Sequence, residues 1–181
     1  MLEDLFKLYL TAGNPEAAKR TAMELRQLVP ANVNYVYLHG LAMMSAGAFR
    51  ESQALFEEVV RLAPGSWQAL QALSQVHLAL QERGLARKRL EEAVALVPTE
   101  LGPANDLAML FLQDEANDRA LPVLERVLEA HPEDAGTHLN MAVAWFPTDK
   151  AACVRHAKQA FARGTGTVRE QAERLLRTLG G

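Results

Sequence analysis

Apolar and polar residues follow a helical period along this chain, and the helical pattern itself recurs. From Leu2 to Ala12 the apolar positions are Leu2, Leu5, Phe6, Tyr9 and Leu10, which lie on one face of a helix. Gly13-Asn14-Pro15 interrupts them, with the proline placed for the first turn of a second helix, Glu16 to Leu28. That helix gathers Ala18, Ala22, Leu25 and Leu28 on one side. The same two-helix pattern predicts Val33 to Ala46 with Phe49 to Leu62, Trp67 to Leu80 with Gly84 to Leu96, Pro103 to Gln113 with Asp118 to Ala130, and Ala135 to Phe146 with Lys150 to Arg163. Asn32 is a predicted N-cap, and Gly47 a predicted turn. The turn before Gly84 is weak, and Pro122 is expected near the first turn of its helix, where a missing N–H costs least. A last helix, Thr167 to Leu179, carries Arg and Glu on its outer face.

The recurrence has a fixed step. Pro30, Pro64, Pro98 and Pro132 stand 34 residues apart, in a chain with only 8 prolines. A period of this length is the mark of a stacked repeat. Other columns keep the step: Tyr9, Met43, His77, Phe111, Trp145; Phe6, Gly40, Ser74, Ala108, Ala142; Ala18, Ser52, Ala86, Ala120; Ala22, Phe56, Leu90, Leu124; and Leu25, Val59, Ala93, Val127. Large columns fill the space between helices, and small columns mark close crossings, where added bulk typically costs about 1–3 kcal/mol. No helix pair buries its apolar face alone, so the units must stack.

These residues carry a resemblance. Gly40 with Ser52, Phe56 and Pro64; Ser74 with Ala86, Leu90, Ala93 and Pro98; and Ala108 with Phe111, Ala120, Leu124 and Pro132 make the chain similar to the tetratricopeptide repeat family over roughly residues 2–163. The resemblance implies an all-α, right-handed superhelical solenoid of antiparallel helix pairs, in a single domain over residues 1–181. Its units fall at 1–32, 33–66, 67–100, 101–134 and 135–164, with a C-terminal capping helix over 167–179. First helices would line the concave face and second helices the convex face. The sequence departs from the family at the start of each first helix, where Leu2, Val36, Leu70, Ala104 and His138 replace an aromatic, and at Phe6, a normally small position. In the last unit the small residue falls one early, at Cys153. The first unit lacks the opening residues of its first helix, so the register expects a fragment of a longer array.

Members of such a family are mostly scaffolds that hold peptides or partner proteins, not enzymes. Carried onto this sequence, the groove positions are Asn34, Tyr37, Leu38, Leu41 and Met44, then Gln68, Gln71, Ala72, Gln75 and Leu78, then Asn105, Asp106, Met109 and Leu112, then Leu139, Asn140 and Val143. Tyr37, Gln71 and Asn105 are the expected central contacts. Each amide offers a donor and an acceptor to an extended backbone, and Leu41, Met44 and Met109 offer adaptable apolar anchors. Lys7 is the one basic residue placed on that face, which argues against a carboxylate clamp and a co-chaperone role. An accessory repeat domain of a larger enzyme, of glycosyl- or sulfotransferase type, and a self-assembling array are the alternatives.

Composition narrows the chemistry. The net charge of −3 gives no bulk field toward nucleic acid. Arg83, Arg87, Lys88 and Arg89 form the one basic cluster, but Glu91 and Glu92 follow at once and stacking aromatics are missing. A single cysteine excludes an internal disulfide and a cysteine-rich metal site, in keeping with a reducing compartment. No signal peptide and no apolar run of roughly 20 residues occurs, so a soluble, cytoplasmic chain without membrane insertion is expected. Gly164-Thr165-Gly166-Thr167 lacks the lysine and strand of a phosphate loop, and HExxH and CxxC are absent. His39, His77, His131, His138 and His156 match no metal-ligand spacing. His77 lies in a core column, and His39 and His138 are expected between units. Cys153 reads as a packing residue, and Glu57-Glu58 and Glu91-Glu92 as a solvated face. No catalytic residue, metal or cofactor is assigned.

Overall fold

The computed structural model describes residues 1–180, and among them the fold is all-α, with eleven helices and no strand. They are α1 (Leu2–Thr11), α2 (Pro15–Leu28), α3 (Val33–Ser45), α4 (Phe49–Leu62), α5 (Trp67–Ala79), α6 (Arg83–Leu96), α7 (Leu101–Gln113), α8 (Asn117–Ala130), α9 (Ala135–Trp145), α10 (Lys150–Arg163) and α11 (Gly166–Gly180). Contacts divide the chain into two compact units, Met1–Leu96 and the part from Val97 onward. In the first, α1/α2, α3/α4 and α5/α6 form helical hairpins, with α2 on α3, α4 on α5 and α3 touching α5. In the second, α7/α8 and α9/α10 are the hairpins, α8 packs on α9, α7 touches α9, and α11 lies on α10 and α9.

The helix ends have local causes. Asn14, Asn32, Ser66, Asp134 and Asp149 each cap a helix start through a side-chain oxygen. The 34-step prolines all fall just past a second helix, two residues after Leu28, Leu62, Leu96 and Ala130. Inside each of the first four hairpins the chain reverses through a left-handed residue, also 34 apart: Gly13 (φ 65°), Gly47 (φ 75°), Gln81 (φ 63°) and Glu115 (φ 56°). The third turn is therefore made by Gln81, and Gly84 lies inside α6. Pro122 lies deeper than expected, as the sixth residue of α8. The carbonyl of Asp118 thus loses its helical donor, at a place where both residues are exposed to water.

Packing between helices rests on complementary sizes. A Cβ built on Gly40 of α3 would lie 2.6 Å from Cε1 and 2.9 Å from Cδ1 of Phe56, which α4 buries completely. The Ser52 hydroxyl donates to the Gly40 carbonyl at 2.9 Å and ties the crossing together. In the first hairpin the sizes are reversed: Phe6 on α1 is the bulky member and Ala22 on α2 the small one, in one buried cluster with Ala18, Leu25, Leu38 and Ala42. The unusual Phe6 is thus matched by its partner column. His77 is buried, with Nδ1 2.7 Å from Oε2 of Glu82, and Glu82 also takes Arg50 of α4 at 2.8 Å. These partners hold the Glu82 carboxyl below the usual carboxylate range.

Glu58 does more than face solvent. It forms a bidentate pair with Arg26 of α2, at 3.0 and 2.8 Å. The α6 cluster has the helical partners expected of a solvated face, Arg87 with Glu91 and Arg89 with Glu92. Cys153 is fully buried beside Ala142 and Ala157, and that burial pushes its thiol up, away from nucleophilic reactivity.

Candidate functional site

In the first unit the predicted residues occupy three environments. Asn34, Gln68 and Gln75 are exposed, whereas Tyr37, Leu41, Met44 and Gln71 are half-buried. Leu38 is only 9% exposed and belongs to the core cluster with Phe6 and Leu25. Its assignment to the groove is corrected: one residue beyond Tyr37 the helix has turned about 100°, which aims Leu38 at α1 and α2. Ala72 is likewise a core residue. Tyr37 packs its ring on Phe56, centroids 5.5 Å apart, and burial raises its phenol, which therefore remains a neutral donor. Asn34, Tyr37 and Gln68 share a hollow of about 200 Å³ with Val33, Val59 and Ser66.

The second unit holds a larger groove, about 520 Å³, formed by α7, α9 and α11. Met109, Leu112, Leu139, Val143 and Leu175 supply an aliphatic wall, and Gln113, Asn140, Gln171, Arg174 and Thr178 the polar remainder. Met109 and Val143 are 48% and 43% exposed, high for apolar side chains with an open hollow beside them.

Beneath this wall runs a hydrogen-bond relay. Asn140 Nδ2 donates to Oδ1 of Asn105 at 2.8 Å. Asn105 Nδ2 donates to the Leu101 carbonyl at 3.1 Å and to the Thr137 hydroxyl at 2.9 Å. Thr137 then donates to Asp134 Oδ2 at 2.7 Å, and the same carboxylate caps α9 through the Thr137 N–H. A carbonyl can only accept, so Asn105 has one possible amide orientation, and that in turn fixes Asn140 as donor. Asn105 does not line the groove. It positions Asn140, whose Oδ1 accepts no hydrogen bond among the described residues.

A tetratricopeptide repeat family model matches residues 37–100. A relative from Arabidopsis thaliana, anaphase-promoting complex subunit 7, is 30% identical over 146 residues, 78% of this chain and 25% of that protein. Tetratricopeptide repeat protein 7B of Homo sapiens is 28% identical over 114 residues, 63% of this chain and 13% of its own length. The chain thus spans a quarter or less of these curated relatives. The solved structure of Pseudomonas aeruginosa pilF shares the fold, with a TM-score of 0.80 at 16% identity, over 98% of this chain and 83% of that one. The chain carries tetratricopeptide repeats.

Within the tetratricopeptide repeat frame, α11 is the element that sequence reasoning undervalued. Expected as a polar end cap, it also walls the groove with Gln171, Arg174, Leu175 and Thr178. A signal was present: Asp106, Asn140 and Arg174 stand 34 apart, so the period reaches α11. Titratable groups cluster elsewhere in the unit too. His138 is buried, with Nε2 donating to the Pro132 carbonyl of the preceding repeat at 2.9 Å and Nδ1 3.0 Å from Nδ1 of His156 in its own hairpin. His156 borders a hollow of about 550 Å³ with Glu125, Glu129, Trp145, Asp149 and Arg155. Among the described residues no group of three His, Cys, Asp or Glu side chains could hold a metal. No described helix is long and apolar enough to cross a membrane.

Proposed function

We propose that this tetratricopeptide repeat chain is a non-enzymatic scaffold that holds a peptide segment or partner protein on the outward faces of its first helices, with the second-unit groove as the principal seat. The observation that carries the reading is the aliphatic hollow of about 520 Å³ where Met109 and Val143 stand exposed beside Asn140. An apolar surface with a few fixed polar groups is how a binding site combines affinity with orientation. In the first unit, Asn34, Tyr37 and Gln68 form a smaller secondary seat. The 34-residue step passes residue 97 without a slip, which supports reading the chain as one array. The net charge of −3 favours protein over nucleic acid as partner.

The test is selection of segments from a displayed random peptide library on the intact protein, followed by titration against Val143→Trp, which fills the groove. Selected segments that bind the native chain and lose at least about tenfold on Val143→Trp, an occluded hot spot by the usual measure, support the reading. No enrichment, or binding indifferent to Val143→Trp, refutes the groove.

A further inference from the structure

The groove of the second unit has an uneven charge pattern. Of its ten lining residues only Arg174 is charged, and no carboxylate is among them. Arg174 is exposed, and its guanidinium forms no ion pair among the described residues. The neighbouring Glu173 is taken by Arg177 at 2.5 Å. A planar cation beside an aliphatic hollow is unfinished electrostatics: its geometry matches a carboxylate through two parallel hydrogen bonds. Beside it, the relay from Asp134 through Thr137 and Asn105 holds Asn140 with its oxygen open to a donor. The groove thus offers aliphatic contact, one acceptor in a fixed direction, and one cation.

We propose that this groove selects an internal segment of a partner chain in which an aliphatic anchor stands next to an acidic side chain. The inference rests on the scaffold reading above and deepens it. The anchor enters among Met109, Leu139, Val143 and Leu175, Asn140 Oδ1 accepts a backbone N–H from the segment, and Arg174 takes the acidic side chain. A peptide rather than a small amphipathic acid fits, because an alkyl carboxylate would satisfy Arg174 and the hollow but bring no donor to Asn140. An internal carboxylate rather than a chain end fits, because the wall holds one cation and no second basic group to gather around a terminus.

The experiment measures fluorescence anisotropy on the full chain with the labelled, capped peptides acetyl-Ala-Gln-Leu-Leu-X-Ser-Ala-amide, where X is Glu, Gln or Lys. The Glu peptide is expected to bind about threefold tighter than Gln, the range of an exposed ion pair, and about tenfold tighter than Lys, with the preference shrinking as salt is raised. Arg174→Gln should abolish the discrimination among the three peptides, and Arg174→Glu should reverse it. Equal binding of the Glu and Lys peptides overturns this inference alone. Binding of none of the three overturns the scaffold reading with it. Octanoate that displaces the Glu peptide at comparable affinity assigns the groove to small acids and overturns the choice of a protein segment.

Discussion

Gly40→Ala is the substitution in which propensity and packing disagree most. Inside a helix, replacing glycine by alanine normally stabilises by about 1 kcal/mol. Here the new methyl would meet the Phe56 ring at 2.6 Å, and Phe56 is fully buried. Overpacking of this kind costs about 1–3 kcal/mol, so a net loss of about 1 kcal/mol is expected. The shift would also press on the 2.9 Å bond from Ser52 to the Gly40 carbonyl. Replacing Phe56 by Leu alone should cost about 1–2 kcal/mol by leaving a hollow. In that background the alanine finds space, and Gly40→Ala should become stabilising by about 1 kcal/mol, a coupling of about 2 kcal/mol within the range of contacting residues. The chain already contains the compensated combinations, Ser74 with Leu90 and Ala108 with Leu124, all buried. Urea denaturation followed by far-UV circular dichroism, with hydrogen exchange on α3 and α4, gives the cycle. An alanine that stabilises the native background, or acts alike in both backgrounds, refutes the size-matching argument.

Gln81→Gly and Glu115→Gly should each raise stability by up to about 1 kcal/mol in the same denaturation, because both positions hold a side chain at a left-handed φ; a loss at either would show that the side chain itself stabilises the turn. Asn105→Leu should lower stability by about 1–3 kcal/mol, since it removes the donor to the buried Thr137 oxygen and the acceptor of the Asn140 amide; unchanged stability would refute the relay. Burial, with smaller contributions from His138 and Arg155, holds His156 below the ordinary histidine range. The unfolded chain therefore takes up that proton first: the stability is fully present above about pH 6.5 and declines as pH falls through the unfolded value. His39 adds the same sign, chiefly through burial with Arg26 and Lys19. His156→Gln should flatten the decline, and an unchanged pH profile of unfolding would remove the histidine pair as its source.

Much of the fold was legible because it rests on local, periodic signals. Phe49 to Leu62 and Lys150 to Arg163 fall where the sequence puts them, and the other helices end within one or two residues of expectation. Prolines and asparagine, serine and aspartate caps act within a turn, so they can be read one residue at a time. The site was less legible. Leu38 and Tyr37 are neighbours on one helix, and the period alone does not separate the edge of the apolar stripe from its centre. Asn105 and Asn140 hydrogen-bond across a spacing of 35, between columns rather than along one, so column reading assigns them parallel roles when one positions the other. The turns at Gln81 and Glu115 were hidden because neither is a turn-forming residue type; only the 34-residue step from Gly13 and Gly47 marks them.

The opposed sizes of Phe6 with Ala22 and of Gly40 with Phe56 bear on how this chain can be recombined. A crossover that joins the first helix of one hairpin to the second helix of the next is neutral in length and keeps every proline in phase. It would nevertheless set Phe6 against Phe56, two aromatic rings in a space made for one, and its reciprocal product would set Gly40 against Ala22 and leave that space hollow. Exchange between these two hairpins is therefore tolerated only when both helices of a hairpin travel together, and there the heritable cassette is the matched pair rather than the helix.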